Sequence, residues 1–248
     1  MNLKRILVSQ PTPSCPEKSP YYDLQKKFDL ELTFKPFIRI ETLTATEFRA
    51  QKISVPTFTA IVFTSRTAVA HFFKLATELR AKPNDEMQYF CLTEGIALYL
   101  QKYINFRKRK VHHSKTGKIE DLALVMKKHN TEKFLMPVAE GHEPEPQCFI
   151  KAKVKLTQAV MYRTVSTEFT PEEIKSYDML CFFTPAGIQS LFDNDPDYQQ
   201  GEQRIGIFGT QTAKAAEDRG LRIDAQGPTP ELPSMTAVLQ KFLAENNA

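Results

Sequence analysis

Short apolar segments alternate along the chain with stretches in which apolar residues recur every three to four positions. The apolar segments are four to six residues long and read ILVS, AIVFTS, YFCL, FLMP, MLCFFT and IGIFG. Uninterrupted apolar segments of this length are typical of parallel strands that are buried on both faces, and the stretches between them are typical of helices. The pattern therefore predicts an α/β protein with doubly wound parallel sheets.

This pattern occurs twice. Residues 58–73 (FTAIVFTSRTAVAHFF) are echoed 119 positions later by residues 177–192 (YDMLCFFTPAGIQSLF), and residues 89–97 are echoed by residues 205–213 at an offset of 116. Other segments correspond in the same order, namely KRILVSQP with KFLMPVAE and LTFKPFIRIE with LTQAVMYRTV. A repeat of this length is domain-sized rather than solenoid-like. We therefore predict two α/β domains that arose by internal duplication.

Local signals mark several helix ends. Ser19-Pro20 and Thr170-Pro171 each combine an N-cap residue with a proline at the first helical position. Gly220 fits the position that follows a helix, and we expect a strand over Leu221–Ile223 directly after it.

Hydroxyl-bearing turns follow most of the predicted strands. Ligands of open parallel sheets bind outside the carboxyl ends of the strands, and a helix that starts there offers free backbone N–H groups to an anion. Each turn taken singly is also explained as a simple helix cap. Together they indicate a cleft for an anionic ligand. The turns are Ser9-Gln10-Pro11, Thr64-Ser65-Arg66, Thr93-Glu94-Gly95, Thr184 to Gly187 and Gly209 to Ala213.

Composition narrows the classes of function. The chain has 248 residues and a formal net charge of +4, which is mild and does not demand a nucleic-acid partner. The densest basic run, Arg107 to Lys110, is interpreted as a solvated loop. The four cysteines lack CxxC spacing, which favours a reducing compartment. We find no signal peptide and no apolar run long enough for a membrane span, so we expect a cytoplasmic protein.

The common catalytic motifs are missing from the sequence. There is no GxGxxG fingerprint, no P-loop and no GxSxG elbow, and the five histidines show no metal-binding spacing. His71 is interpreted as a packing or surface residue of a helix, and His112-His113 as part of a loop. The residues alone therefore predict an anion-binding cleft without a cofactor or a metal.

The order of these segments resembles the uroporphyrinogen-III synthase family. The resemblance covers nearly the whole chain and rests on ILVSQP, PFIRIE, IVFTSRTAV, VMYRTV, DMLCFFTPAGI and, most specifically, IGIFGTQTAKAAEDRGL followed by QGPTPEL. It implies two α/β domains that are joined by a two-stranded β-ladder, with the active site in the cleft between them. Domain one would hold residues 1–35 and 166–248, domain two would hold residues 44–157, and residues 36–43 and 158–165 would be the linker strands.

The resemblance also implies a reaction. The family closes the linear tetrapyrrole hydroxymethylbilane, inverting its terminal pyrrole ring through a spiro intermediate, and it uses no cofactor. The implied protein is a lyase of tetrapyrrole biosynthesis, including heme biosynthesis, and acts as a cytoplasmic monomer. Its partners would be the anionic tetrapyrrole and, transiently, hydroxymethylbilane synthase, without nucleic acid or membrane.

Residue roles follow from the matching positions. Tyr162, in VMYRT, would donate a hydrogen bond or proton to the departing hydroxyl, although an aromatic residue on a linker strand can also simply pack. Arg66 and Arg163 would pair with substrate carboxylates. The residues expected to bind substrate are Gln10, Thr64, Ser65, Arg66, Thr184, Pro185, Ala186, Thr210, Gln211 and Thr212.

Three positions depart from the family's pattern. Gln10 replaces the arginine of an Arg-Pro pair, Glu94 places a carboxylate near an anionic substrate, and Ala186 stands where a second hydroxyl is common. These departures leave open a second hypothesis, a non-catalytic ligand-binding or regulatory protein of the same fold. A third hypothesis, a flavodoxin-like nucleotide binder, is weakened because the chain has only nine glycines and no glycine-rich phosphate loop.

Overall fold

The computed structural model describes residues 3–246, and this part of the chain contains eleven strands and ten α-helices. The strands are β1 Arg5–Val8, β2 Glu31–Phe34, β3 Ile38–Thr42, β4 Ala60–Phe63, β5 Gln88–Cys91, β6 Val111–His113, β7 Lys133–Ala139, β8 Lys155–Ser166, β9 Met179–Phe182, β10 Arg204–Phe208 and β11 Ala225–Gly227. The helices are α1 Pro20–Phe28, α2 Ala45–Ala50, α3 Arg66–Glu78, α4 Glu94–Tyr99, α5 Ile119–Lys127, α6 Gln147–Ala152, α7 Pro171–Lys175, α8 Pro185–Asn194, α9 Thr210–Asp218 and α10 Met235–Asn246.

The chain divides into two compact units. Unit 1 reaches Arg39 and resumes at Val165, and unit 2 is the continuous segment Ile40–Thr164. All six apolar segments of the sequence are strands, namely β1, β4, β5, β7, β9 and β10. The α/β class predicted from the sequence is confirmed.

Both units contain the same five-stranded parallel arrangement. The strand order in unit 1 is β2-β1-β9-β10-β11, and in unit 2 the corresponding order is β8-β7-β4-β5-β6, with β3 added beside β8. All register-paired neighbours in these two series run parallel. The second arrangement is a circular permutation of the first, because unit 2 begins with the equivalent of β9 and ends with the equivalents of β1 and β2.

Each sheet is covered on both faces. In unit 2, Ile61 and Phe63 pack into one hydrophobic cluster, whereas Val62, between them, packs into another. In unit 1, Leu7 belongs to one cluster, and Ile6 belongs to the cluster on the opposite face. This double burial explains why the strands are continuously apolar rather than alternating.

The repeated helices begin where the sequence repeat places them. The first residues of α3 and α8, Arg66 and Pro185, are 119 positions apart, and those of α4 and α9, Glu94 and Thr210, are 116 positions apart. Within residues 3–246, no helix combines the length and the apolar character that crossing a membrane requires.

The structure confirms the helix ends predicted at Thr170 and Gly220 but not the strand predicted after Gly220. Thr170 caps α7 by accepting a hydrogen bond from the Glu173 N–H at 3.1 Å, and Gly220 adopts φ +72° just after α9. The strand expected over Leu221–Ile223 is wrong, since β11 begins only at Ala225. The Leu221 N–H donates to the Ala216 carbonyl, so the chain is still completing the end of α9 at that point.

Candidate active site

The strand order reverses at one place in each unit, and such switch points are where open α/β sheets bind ligands. In unit 1 the reversal lies between β1 and β9, which lead into Gln10 and Thr184. In unit 2 it lies between β7 and β4. Ser65 follows β4, and Tyr162 lies opposite Ala139, the last residue of β7.

Ser65 and Arg66 form the turn between β4 and α3. The Ser65 hydroxyl oxygen accepts a hydrogen bond from the Ala68 N–H at 3.0 Å, so Ser65 is the helix cap, as its residue type predicts. Arg66 is exposed, and its guanidinium lies 5.7 Å from the centre of the Tyr99 ring. A Cβ atom at Gly95 would lie 3.4 Å from Arg66 Nη2. The cation is therefore beside the first turns of both α3 and α4.

A β-bulge sets the position of Tyr162. Val138 pairs with Val160, but the next residue of β7, Ala139, pairs with Tyr162, so Met161 is the extra residue on β8. Met161 is buried and Tyr162 is only partly buried. Bulges of this kind redirect a side chain next to functional sites. Without the extra residue, alternation along the strand would turn the phenol to the other face of the sheet.

Side chains fix the strand on both sides of the bulge. The Gln51 amide donates to the Val160 carbonyl at 2.8 Å and accepts from the Val160 N–H at 3.0 Å. Arg163 donates to Glu47 at 2.7 Å and to Glu41 at 3.1 Å. Because two carboxylates already bind its guanidinium, Arg163 positions β8, and its predicted pairing with substrate carboxylates would compete with both of these contacts.

The carboxyl group of Glu47 is a strong partner for Arg163. Hydrogen bonds from the backbone and side chain of Thr44, together with the one from Arg163, lower the pKa of Glu47 to about 2. The carboxylate therefore remains charged across the physiological pH range, and the ion pair beside Tyr162 persists with it.

The Tyr162 side chain lies beside one residue of α3, His71, and beside the residue that caps this helix, Ser65. Its ring stacks on the His71 ring with a centroid distance of 5.2 Å and an interplanar angle of 24°. Burial raises the pKa of Tyr162, and a hydrogen bond with the Ser65 hydroxyl opposes that rise.

His71 is held in turn by a buried threonine. Its Nδ1 atom lies 2.6 Å from Oγ1 of Thr42, whose exposed fraction is 7%. Burial, and to a smaller extent the charge of Lys74, lowers the pKa of His71. The sequence-based interpretation of His71 as a packing residue is thus accurate, but the ring on which it packs is that of Tyr162. Only the sheet, which places positions 71 and 162 together, reveals this.

We expect His71→Leu to slow catalysis because it removes the flat polar surface against which the phenol lies. The predicted change is a fall in kcat of about tenfold with KM within about twofold, because the predicted role of Tyr162 is catalytic and misplacing such a group costs rate rather than binding. Steady-state kinetics at neutral pH would measure it. His71→Phe is the matched control, because it keeps the stacking and should retain most of the rate. Equal rates for His71→Leu and the unchanged protein would show that the stack does not position Tyr162.

The corresponding turn of unit 1 is also a cap. The Thr184 hydroxyl oxygen accepts from the Gly187 N–H at 3.1 Å, and Thr184 and Pro185 are exposed while Ala186 is partly buried. A Cβ atom at Gly187 would lie 3.8 Å from Oγ of Ser9. The start of α8 therefore packs closely against the end of β1, beside the partly buried Gln10.

The third turn, at the end of β10, depends on a glycine. Gly209 caps α9 with φ +104°, a conformation that side-chain-bearing residues rarely adopt. Thr210 and Gln211 are exposed, whereas Thr212 is 2% exposed and its Oγ1 lies 3.6 Å from where a Cβ of Gly209 would be. The buried side chain of Thr212 packs inside the turn. The group of Thr212 that can bind an anion is therefore its backbone N–H.

The remaining predicted residues lie at the same edge of unit 2. Thr64 is partly buried between β4 and the Ser65 cap. Thr93 caps α4 by accepting from the Ile96 N–H at 3.3 Å, and Glu94 is the exposed first residue of that helix. The structure thus places Thr64, Ser65, Arg66 and Tyr162 together in unit 2, and Gln10 and the turns at 184–186 and 210–212 at the carboxyl edge of unit 1.

Comparison with known proteins identifies one family. The family model described as uroporphyrinogen-III synthase HemD matches residues 21–237. A solved structure of uroporphyrinogen-III synthetase from Helicobacter pylori is 16% identical, covers 98% of this chain and 100% of its own, and has a TM-score of 0.56. A mutant uroporphyrinogen III synthase from Thermus thermophilus is 15% identical over 98% of this chain and 100% of its own, with a TM-score of 0.47. No curated protein matches the sequence.

Proposed function

The chain belongs to the uroporphyrinogen-III synthase family, and we propose that Tyr162 and the hydroxyl-bearing turns of both units perform that family's reaction on hydroxymethylbilane. The family's activity is that of a cyclising lyase in tetrapyrrole biosynthesis. Tyr162 suits this role because the β-bulge and the stack on His71 hold its phenol beside the turn that carries Ser65.

In the proposed first step, Tyr162 donates its proton to the hydroxyl group of the substrate, which leaves as water. The electrons of the adjacent pyrrole nitrogen, which keeps its N–H, form the protonated azafulvene, and the nearby Ser65 hydroxyl stabilises the phenolate that remains. The group must be protonated at neutral pH before the step begins, and a tyrosine phenol, whose pKa lies far above neutrality, meets this requirement. The Tyr162 phenol therefore carries its proton when the substrate binds.

The following steps require positioning more than further acids. The azafulvene carbon is attacked by the substituted carbon of the terminal ring, which gives the spiro intermediate. That intermediate reopens and closes again at the free position of the inverted ring. The proton lost as this ring regains its aromaticity restores the Tyr162 phenol, so that the overall change is loss of one water. Holding a flexible chain in the bent geometry supplies much of the rate.

We propose that the substrate carboxylates bind at the starts of α3, α8 and α9. Each of these helices presents free N–H groups beside a capping residue or the Gly209 turn, and the helix dipole favours a negative charge there. Arg66 adds a full positive charge in unit 2.

Arg66→Gln is expected to weaken substrate binding. Losing a charge-assisted contact to a carboxylate should raise KM about tenfold, while kcat should change less than about threefold because Arg66 touches no reacting atom in this scheme. Arg49→Gln is the matched control, since Arg49 is an exposed arginine of α2 in the same unit. A KM that stays at the level of this control would remove Arg66 from the binding site.

We propose a cytoplasmic monomer that works without a cofactor and receives its unstable substrate through transient contact with hydroxymethylbilane synthase. The unbridged state of all four cysteines supports a reducing compartment. Sedimentation with and without that synthase would test both the monomer and the contact.

The competing hypothesis is a non-catalytic binding protein, which Gln10, Glu94 and Ala186 favour. The isomer of the product separates the two. Hydroxymethylbilane closes spontaneously to the type I ring, so an excess of type III uroporphyrinogen in a coupled assay with the purified protein supports the synthase. Type I alone, at the spontaneous rate, would contradict it.

A further inference from the structure

A second concave site lies in unit 2, away from Tyr162. It is a groove of about 690 Å³ between one face of α3, the loop that enters β5 and the segment that enters β6. The α3 residues that line it, Ala70, Phe73, Lys74 and Thr77, follow the spacing of a single helix face. Met87 and Val111 lie at the amino ends of β5 and β6. The groove is therefore at the edge of the sheet opposite the Ser65 and Thr93 turns.

The lining of this groove is strongly basic. It contains one carboxylate, Asp85, and five cationic side chains, namely Lys74, Lys82, Lys102, Arg107 and Lys110. Their net charge of +4 equals the formal net charge of the entire chain, which is also +4. The remainder of the sequence is neutral on balance, so the positive charge of this protein is concentrated here. The basic run at 107–110, interpreted from the sequence as a solvated loop, contributes two of these residues.

The five cations differ in their surroundings. Lys110 is buried and structural, because its ammonium donates to the Asp85 carbonyl and pairs with Glu86 at 3.0 Å. That contact lowers the pKa of Glu86. Lys74, Lys82, Lys102 and Arg107 are exposed, and within residues 3–246 none of them has a carboxylate at ion-pair distance. Four exposed cations thus line one concave surface, and Lys102 also lies over the ring of Tyr99, 4.8 Å from its centroid.

An aromatic surface accompanies the charges. Tyr103 stacks on Phe73 with a centroid distance of 4.9 Å and an interplanar angle of 11°, and the exposed fraction of Tyr103 is 38%. The stack fixes the plane of the Tyr103 ring, so part of a flat, rigid surface is presented to the groove. Convergent cations beside an exposed aromatic ring are the chemistry that recognises a flat ring with attached anionic groups.

We propose that this groove binds a small aromatic polyanion, an organic ring that bears several phosphate or carboxylate groups. The anionic groups contact Lys74, Lys82, Lys102 and Arg107, and the ring lies on Tyr103. The site is separate from the catalytic residues, so its occupancy does not depend on the proposed reaction mechanism.

Titration calorimetry with four probes tests this proposal on the full chain. ATP carries a ring with phosphates, and mellitate carries a ring with carboxylates. Tripolyphosphate has the negative charge but no ring, and adenosine has a ring but no charge. We expect ATP, mellitate or both to bind saturably at one site, at least about fivefold more tightly than tripolyphosphate, with no binding of adenosine. Which of the two binds more tightly identifies the anionic group.

Substitutions of the groove residues test whether the polyanion binds in the groove. Lys82→Gln/Lys102→Gln should weaken it about tenfold or more, and Tyr103→Leu about fivefold. The control Lys127→Gln/Lys128→Gln removes two exposed charges from the end of α5 and should change it less than twofold. Synthase rates of the groove variants should stay unchanged, which separates failure of this proposal from failure of the catalytic one. The absence of saturable binding of both ring polyanions, or equal weakening in the control, would overturn the proposal.

Discussion

Tyr162→Phe should lower kcat for type III uroporphyrinogen by about 100-fold, because general acid catalysis by a positioned side chain contributes at least that much. The substitution removes only the hydroxyl group, so the ring still fills its place on His71 and the fold is retained. KM should change little, since the leaving hydroxyl is a small part of a substrate held mainly by its carboxylates. Single-turnover kinetics with separation of the isomers would measure the effect.

A second tyrosine provides the control for whether the loss of kcat is specific to Tyr162. Tyr22→Phe removes a phenolic hydroxyl from α1 in unit 1, where Tyr22 packs against Lys26, and it should leave the rate unchanged. Type I product should continue to form at the spontaneous rate with Tyr162→Phe. If Tyr162→Phe retained more than about half of the normal kcat, Tyr162 would be a packing residue of β8 and the proton would have another source.

Phe37→Ala is expected to destabilise unit 1 by about 3–5 kcal/mol, the range measured when a fully buried phenylalanine is truncated. Phe37 is completely buried, stacks on Phe169 at 4.3 Å and lies 4.9 Å from Phe182. Its N–H also donates to the Ser9 hydroxyl oxygen at 3.0 Å, next to the turn that carries Gln10. The cavity would therefore loosen both the core and this turn.

Urea denaturation would measure that loss, with unfolding of each unit followed separately because a two-unit chain need not unfold in one step. Phe37→Leu should cost roughly 1–2 kcal/mol, since most of the buried volume remains. Leu124→Ala is the control, because Leu124 is 59% exposed and its truncation should cost less than about 0.5 kcal/mol. A loss below 1 kcal/mol for Phe37→Ala would contradict the packing described for unit 1.

Much of the fold could be predicted because its signals are local. A strand such as β4 is recognisable from AIVF alone, since a segment buried on both faces must be apolar throughout. The caps at Ser65 and Thr184 are likewise local, as they need only a hydroxyl and a following helix. The repeat added the long-range information that a single segment lacks.

The features that were not predicted depend on contacts between distant parts of the chain. The bulge at Met161 has no mark in VMYRTV and is defined only by its pairing with β7. The engagement of Arg163 with Glu41 and Glu47, and the contact of His71 with Tyr162, join elements that are far apart in sequence. A local sequence motif carries no information about contacts between residues that are far apart in the chain. The residue roles predicted from motifs were therefore incomplete.

In the proposed mechanism, Tyr162 supplies the proton to the departing hydroxyl group. Its most direct test replaces Tyr162 with a ring-fluorinated tyrosine, which keeps the hydroxyl and nearly the same size but lowers the phenol pKa. Because the protonated phenol is the active form, kcat should be constant at low pH and fall as pH rises through the pKa, which burial raises in the natural residue. We expect fluorination to move this fall to lower pH by the change in phenol pKa. An unshifted pH profile with an unchanged rate would contradict it.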